Sequence, residues 1–308
     1  MKHEPGVSSP PCRQCGSSAV TNLGPIPVGT SFAGQALIPP WPGGHLYRCE
    51  RCGLGFRHPI RTDEEYERLY ESAPDNVWIP MPARADQVRV RNLIQSAYAS
   101  GRVLDVGCYD GEFLASLGPQ FERHGIEASS AAALAAREKN VAIVASKISA
   151  IASQAAAYDV VCAIDVIEHV ASPRAFLELL CRCVAPGGML IVSTGNLDST
   201  PWRTVGGRYW YCQYPEHISF ISPAWANGAA KALGLELRTV EKFAYYQAET
   251  PPLSRAPWQY FRRQVLSRLK RRVISKLSPK PDSHGSTDIV GQAGQFTDHM
   301  ILAFTKPR

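Results

Sequence analysis

The stretch Val103–Phe113 reads VLDVGCYDGEF, and its order of residue types decides the fold. An apolar run carrying one acid, Asp105, ends at Val106, gives way to Gly107 and Gly111, and passes into a helix-forming segment from about Glu112. Glycine at such a strand-to-helix turn lets a ligand approach the backbone at the helix start. About 20 residues further on, FERHGIE (121–127) is a second apolar run closed by Glu127, an acid suited to accept hydrogen bonds from two ribose hydroxyls. Outward from there lie VAIVA (141–145), YDVVCAI (158–164), GMLIVST (188–194), LELRTVEKF (235–243) and HMILAFTK (299–306), with longer helical stretches between most of them. Apolar runs without two-residue alternation, separated by helices, predict a parallel sheet covered on both faces and hence a doubly wound α/β domain. Such a sheet binds its ligand beyond the carboxyl ends of its strands.

Two further segments, AIDVIEHV (163–170) and APGGMLIVSTGN (185–196), complete a set that resembles the class I S-adenosylmethionine-dependent methyltransferases over residues 100–308. The resemblance implies a Rossmann-like seven-stranded sheet, mostly parallel with the last strand antiparallel. It also implies that Asp105, Gly107, Cys108 and Gly111 line the methionine part of the cofactor, Glu127 the ribose, and Asp165 with Val166 the wall beside the sulfonium. Lys147 and Ile148 follow the third strand and are candidates for the adenine edge by position alone. In that family the turn is DxGxGxG. Here Tyr109 replaces the middle glycine, so its side chain must point away from the cofactor or narrow the pocket, while Asp110 fills a polar role. Asp165 can alternatively cap a helix starting near Ile167, and Ser172 before Pro173 reads as another helix cap. Glu168 and His169 are expected to orient the loop after the fourth strand.

Ahead of this domain, CRQC and CERC place Cys12, Cys15, Cys49 and Cys52 in two CxxC pairs separated by 33 residues. Each pair suits a tight knuckle, with Gly16 or Gly53 directly behind it, and four thiolates can close a tetrahedral zinc site. Residues 1–61 are therefore expected to form a small zinc-ribbon-like module that draws most of its folding energy from the metal. The intervening segment, with Pro25, Pro27, Pro39, Pro40, Pro42 and Gly43-Gly44, is expected to hold little regular structure, and His45 and His58 are read as loop residues. Residues 62–99 carry helical spacing interrupted around Pro74, Pro80 and Pro82, which suits a helical connector.

The acceptor side is read from GRYWYCQYPEHISFIS (207–222), an aromatic-rich insertion after the fifth strand with an acid and an imidazole adjacent. YPEHISFIS together with the cysteine knuckles resembles the sugar methyltransferases of deoxysugar and surface-polysaccharide pathways, including carbon-methylating ones. Carried over, the resemblance makes Tyr214 and Glu216 the residues that bind or orient the acceptor and His217 the general base. The implied substrate is a small molecule, a sugar or nucleotide sugar. An alternative resemblance, to ribosomal RNA guanine methyltransferases with a cysteine module, lacks an NPPY-type segment after the fourth strand. The basic residues of the first module are also too scattered for a nucleic-acid patch. A third reading is a cofactor-fold protein without catalysis.

Length and charge set the outer bounds. With 308 residues, 45% apolar and 19% charged, the chain suits one large domain plus a smaller module and excludes a disordered tail. No run of 18 uncharged apolar residues occurs and MKHEPGVSSPPC lacks a signal-peptide layout, so a cytoplasmic protein with reduced thiols is expected. Of the net +6, nine Lys and Arg lie within residues 254–280 with no acid among them, and removing those nine leaves −3 for the rest. Within 251–296, a basic helical insertion followed by a loop, residues 255–277 carry an apolar stripe (Trp258, Phe261, Val265, Leu269, Val273, Leu277). That stripe is open to three readings: packing on its own domain, peripheral contact with an anionic membrane surface, or an anionic substrate or nucleic acid.

Overall fold

The computed structural model describes residues 9–71, 84–147, 149–150, 156–245 and 297–308. Toward the amino terminus the proline-rich stretch departs from expectation by forming strands: β1 (Val20–Pro25), β2 (Gly29–Phe32), β3 (Gln35–Trp41), β4 (His45–Cys49) and β5 (Gly55–His58). Proline is tolerated because the β2–β3 ladder is irregular: Gly29 pairs with Trp41 and Ser31 with Ala36, and the register shift falls where Pro39 and Pro40 would otherwise have to donate. His45 and His58 are cross-strand partners in the β4–β5 ladder and not loop residues. Helix α1 (Asp63–Glu71) opens on a reciprocal cap, in which Glu65 N–H donates to Thr62 Oγ1 and Thr62 N–H to Glu65 Oε2. Helix α2 (Ala85–Ala97) buries Val90 and Ile94. Within the expected connector, residues 72–83 lie outside the described residues.

The main domain alternates as the apolar runs predicted: β6 (Gly101–Val106), α3 (Glu112–Ser116), β7 (Phe121–Ile126), α4 (Ser130–Glu138), β8 (Ala142–Ala145), β9 (Tyr158–Ile164), α5 (Pro173–Cys183), β10 (Val184–Gly195) and α6 (Thr200–Val205). After the short strand β11 (Ser219–Phe220) come α7 (Pro223–Ala232), β12 (Glu236–Phe243) and β13 (His299–Thr305). The sheet order is β12-β13-β10-β9-β6-β7-β8, with β13 alone reversed against its neighbours, so the expected α/β seven-stranded sheet with an antiparallel last strand is present. Its central strands lack alternation because both faces are covered. Leu104, Val106, Val161 and Val192 pack into one apolar cluster, while Val103, Val160, Cys162 and Ile191 pack into the other. Ser172 occupies the cap position of α5, but its side chain makes no capping hydrogen bond.

The amino-terminal sheet is completed from the main domain: its order is β1-β4-β5-β11, with Ser219 opposite Phe56 and Phe220 opposite Gly55. The cysteine module and the acceptor segment are thus one sheet. The basic segment 254–280 and the loop to residue 296 lie outside the described residues, and none of the described helices is long and apolar enough to cross a membrane.

Candidate functional site

The turn after β6 is held open by backbone conformation. Gly107 and Gly111 have φ of +77° and +74°, and Tyr109 between them adopts φ +48°, a left-handed geometry that costs a side chain about 1–2 kcal/mol. The turn tolerates Tyr109 because its N–H donates to Glu127 Oε2 at 2.9 Å, while Ser129 N–H donates to Oε1 at 2.8 Å. Glu127 is thereby fixed at the end of β7 with lone pairs to spare. A Cβ on Gly107 would lie 2.9 Å from Val166, which brings the first turn against the one after β9. Asp110 does take a polar role, accepting from Glu112 N–H and pairing with Lys139 at 2.7 Å. Cys108 is the exception among the residues assigned to the cofactor. It packs in the apolar cluster behind β6, and its N–H and carbonyl are taken by Ile126 and Gly111.

Two carboxylates face this turn. Asp105 is buried inside β6, and burial pushes its carboxyl well above the usual range against the pull of Arg84. Asp165, at φ +54° after β9, caps no helix, since the 3-10 turn Ile167–His169 starts from Val166 without a side-chain cap. It pairs instead with Arg84, a guanidinium shared with the fully buried Asp86. Burial pushes Asp165 up to about 7, partly offset by Arg84. Asp105 Oδ1 and Asp165 Oδ1 are both buried without a hydrogen-bond partner among the described residues. Carboxyl oxygens without a hydrogen-bond donor among the described residues, close to a glycine turn, suit a ligand carrying positive charge and N–H donors, as an amino acid sulfonium does. Arg84 gave no signal in the sequence, standing alone after a proline-rich stretch. Lys147 is described and Ile148 is not.

On the other side of the β9 turn, Glu168 is fully buried and accepts from the Tyr211 hydroxyl and from Thr194 Oγ1. Burial raises it to about 7. His169 Nδ1 meets the Tyr70 hydroxyl at 2.8 Å, and burial lowers this imidazole to about 4. His217 stands nearly at right angles to it, with ring centroids 4.9 Å apart, and lies tilted against Tyr211 with centroids 4.1 Å apart. Polar atoms of Glu168, His169 and His217 lie within 4.8 Å of one another, near enough for a metal ion, yet the hydrogen bonds already made by each describe a brace. His217 Nδ1 lies 2.8 Å from the Tyr211 carbonyl, so the proton sits on Nδ1 and the Nε2 lone pair is left as acceptor. Burial first, then His169, keeps the ring neutral well below the ordinary imidazole range. Glu216 accepts from Ala33 N–H through Oε1, and its Oε2 is buried without a partner among the described residues. Tyr214 is the exposed member, its ring 5.2 Å from His217.

Sequence reading missed what holds this loop. Arg57, buried in β5, donates Nε to His217 O, Nη1 to Gly43 O, and Nη2 to Cys212 O and Tyr214 O. A single arginine in an apolar strand carries no motif that would have found it.

The cysteine knuckles also converge. Sγ atoms of Cys12, Cys15, Cys49 and Cys52 lie within 4.8 Å of one another, with Cys12–Cys52 at 3.7 Å and Cys15–Cys49 at 3.6 Å. A tetrahedron with Zn–S bonds of 2.3 Å requires S···S separations of about 3.8 Å, so the donor set fits zinc without rearrangement.

Comparison with known proteins follows the main domain. The family described as a methyltransferase domain matches residues 81–240. The ubiquinone biosynthesis O-methyltransferase of Burkholderia thailandensis is 32% identical over 159 residues, spanning 47% of this chain and 68% of that protein. Its namesake from Paraburkholderia phymatum is 30% identical over 173 residues, spanning 51% and 75%. Among solved structures, the N-methyltransferase NodS of Bradyrhizobium japonicum, in complex with S-adenosylhomocysteine, has 16% identity and a TM-score of 0.47, over 80% of this chain and 98% of that one. The family match over residues 81–240 and the ubiquinone biosynthesis relatives, with the sheet order beside them, show that the chain belongs to the class I S-adenosylmethionine-dependent methyltransferases.

Proposed function

We propose that this methyltransferase acts on a sugar-type acceptor, at a hydroxyl or a carbon, with His217 as general base. The observation that carries the reading is the fixed imidazole: a neutral ring whose Nδ1 proton is tied to the Tyr211 carbonyl, in one segment with the exposed Tyr214 and with Glu216, whose Oε2 has no partner among the described residues. Polyhydroxy acceptors present donors for the Glu216 oxygen and an apolar ring face for Tyr214. In this reading Asp105, Gly107, Gly111, Glu127, Asp165 and Val166 bind the cofactor, with Cys108 supporting the turn from behind. The cofactor supplies a methyl group already activated by its sulfonium. The chain then has to orient the acceptor in line with that methyl group and remove one proton. His217 Nε2 takes the proton, Glu216 and Tyr214 hold the acceptor, and the 165–169 turn joins the two halves, because Ile218 N–H donates to the Glu168 carbonyl. Cys12, Cys15, Cys49 and Cys52 hold a structural zinc ion.

The test is to incubate the protein with labelled cofactor and a panel of nucleotide sugars, free sugars, phenols and RNA, and to follow the mass gain of one methyl group. Transfer to a sugar supports the reading. Transfer only to phenols or only to RNA overturns it.

Cofactor binding has its own signature. Because burial pushes Asp165 up to about 7, its carboxyl holds protons into the neutral range, and a cation beside it favours the carboxylate. Calorimetry in buffers of different ionisation enthalpy is expected to show net proton release on binding S-adenosylmethionine. The release is expected to be smaller with S-adenosylhomocysteine and lost in Asp165→Asn. Proton uptake would remove Asp165 from the sulfonium wall.

A further inference from the structure

His299 opens β13, the reversed strand of the main sheet, and so stands at the edge where the parallel strands end, opposite Gly195 of β10 and Phe243 of β12. Strand alternation puts it on the face of Ile301 and Ala303, which pack in one cluster with Val103. Asp105, two residues after Val103, shares that face and that edge. The His299 ring is fully buried. Tyr245 and Trp210 are inclined to it by 34° and 20°, with centroids 4.4 and 6.0 Å away, and Tyr211 meets it edge-on at 5.1 Å. Two of these rings lead to the site: Tyr211 also lies 4.1 Å from His217, and Tyr245 lies under the Arg84 guanidinium that pairs with Asp165. His299 is near enough to act electrostatically on both Asp165 and His217.

What the ring lacks is a partner. Neither nitrogen makes a hydrogen bond among the described residues, although Nδ1 lies 3.3 Å from Asp298 Oδ1. Asp298 is itself held in place. It accepts from the Tyr209 hydroxyl at 2.6 Å and from Tyr245 N–H at 3.0 Å, and its carbonyl accepts from Asn196 N–H at the end of β10. The carboxylate therefore stands beside one ring nitrogen and leaves Nε2 with nothing to bond. For packing among aromatic rings a phenylalanine would serve as well, and a bare polar atom in a core costs stability, so the imidazole calls for a reason. The other buried, partnerless atoms at this edge and in the acceptor segment, Asp105 Oδ1, Asp165 Oδ1 and Glu216 Oε2, are the ones read above as ligand-binding.

We propose that His299 is a second acceptor-binding imidazole: Nδ1–H donates to Asp298, and Nε2 accepts from a hydroxyl of the acceptor close to the atom that His217 serves. The inference rests on the acceptor lying against the 207–222 segment, and not on its being a sugar. His299 holds the acceptor and takes no proton, so its loss weakens binding of the acceptor and spares that of the cofactor.

The experiment compares the full chain with His299→Phe, which keeps the ring packing and removes both nitrogens. Melting temperature is expected to hold or rise, because a partnerless polar ring is replaced by an apolar one of similar shape. S-adenosylhomocysteine affinity, by calorimetry, is expected to change by less than about threefold, within ordinary binding scatter. With glucose, thymidine diphosphate glucose and catechol as acceptors, KM for whichever is methylated is expected to rise by about tenfold or more, the worth of one buried hydrogen bond, with kcat changed far less. An unchanged KM, or a loss confined to kcat, overturns the proposal. A second measurement needs no acceptor: nitrogen-15 spectra of the histidine-labelled protein with S-adenosylhomocysteine, His299 being assigned by its absence from the variant, should show the proton on Nδ1 and a lone pair on Nε2. A proton on Nε2 overturns the proposal as well. The readings fail separately. Methylation of catechol alone removes the sugar and leaves His299 to be judged on catechol, and full turnover by His217→Asn removes the base while the KM effect of His299→Phe stands.

Discussion

Replacing His217 with Ala is expected to lower kcat by about 10²–10⁴-fold at saturating acceptor, the usual worth of a positioned general base, while S-adenosylhomocysteine binds as before. The decisive control is His217→Asn. An asparagine amide can place its N–H where Nδ1 now donates to the Tyr211 carbonyl, but it has no Nε2 lone pair. If the imidazole only braces the loop, Asn restores turnover. If it removes a proton, Asn is as slow as Ala. The pH profile gives a second readout. The ordinary imidazole titrates near 6.5, and burial beside His169 lowers His217 well below that, so the neutral, proton-accepting form persists under mildly acidic conditions. The acid limb of kcat/KM assigned to this group should therefore fall below pH 6.5. A limb at or above 6.5 that disappears in the Asn variant would contradict the buried, neutral ring.

The glycine turn and the sheet that carries it were legible in the sequence, and what braces the 207–222 segment was not, for a physical reason. Gly107, Gly111 and Glu127 are local: a strand, a turn and a helix within 25 or so residues dictate their relation, and a doubly wound sheet then fixes where the turn faces. Tyr214, Glu216 and His217, proposed for the acceptor, are close neighbours in the chain. What fixes them comes from far away. Arg57 reaches Tyr214 and His217 across about 160 positions, and Tyr70 reaches His169 across 99. Such pairs carry no periodicity and no spacing rule. The proline-rich stretch 25–42 misled for the opposite reason, since local propensity argued against strands, whereas pairing with β4 and the irregular β2–β3 ladder supplied hydrogen bonds that do not need the missing proline N–H groups. Cys108, expected beside the cofactor from its place in the turn, packs its side chain in the apolar cluster behind β6.

Removal of the proposed zinc is expected to abolish acceptor turnover and to leave the glycine turn able to bind S-adenosylhomocysteine. The argument starts from repulsion. Thiolates 3.7 Å apart oppose each other by roughly 4 kcal/mol at an effective dielectric of 20, so a cation is needed to hold all four together in their deprotonated form. Zinc in such sites contributes about 10–16 kcal/mol to folding, as much as the whole stability of a typical domain. Both knuckles are anchored on the acceptor segment. Arg13 Nη2 donates to Ile218 O at 2.5 Å and to Ser219 Oγ at 2.6 Å, Trp225 Nε1 donates to Gln14 Oε1, and Ser222 Oγ donates to Gly53 O. Beside them β5 pairs with β11 one residue beyond Ile218, and Arg57 holds the His217 carbonyl. Loss of the knuckles therefore releases the strand that sets the direction of the His217 ring. The turn after β6, by contrast, is built from β6, β7 and the 165–166 corner, none of which touches a cysteine knuckle through these bonds. Metal analysis of the purified protein should find one zinc per chain. Stripping it with a thiol-directed mercurial and a chelator should lower the melting temperature, stop methyl transfer and change S-adenosylhomocysteine affinity by less than about threefold, within ordinary binding scatter. Cys49→Ser, which removes one ligand and leaves the rest, should reproduce the pattern. A zinc-free protein with full turnover would show that the thiols meet for packing alone, and equal loss of cofactor binding would show that the two halves fold as one unit.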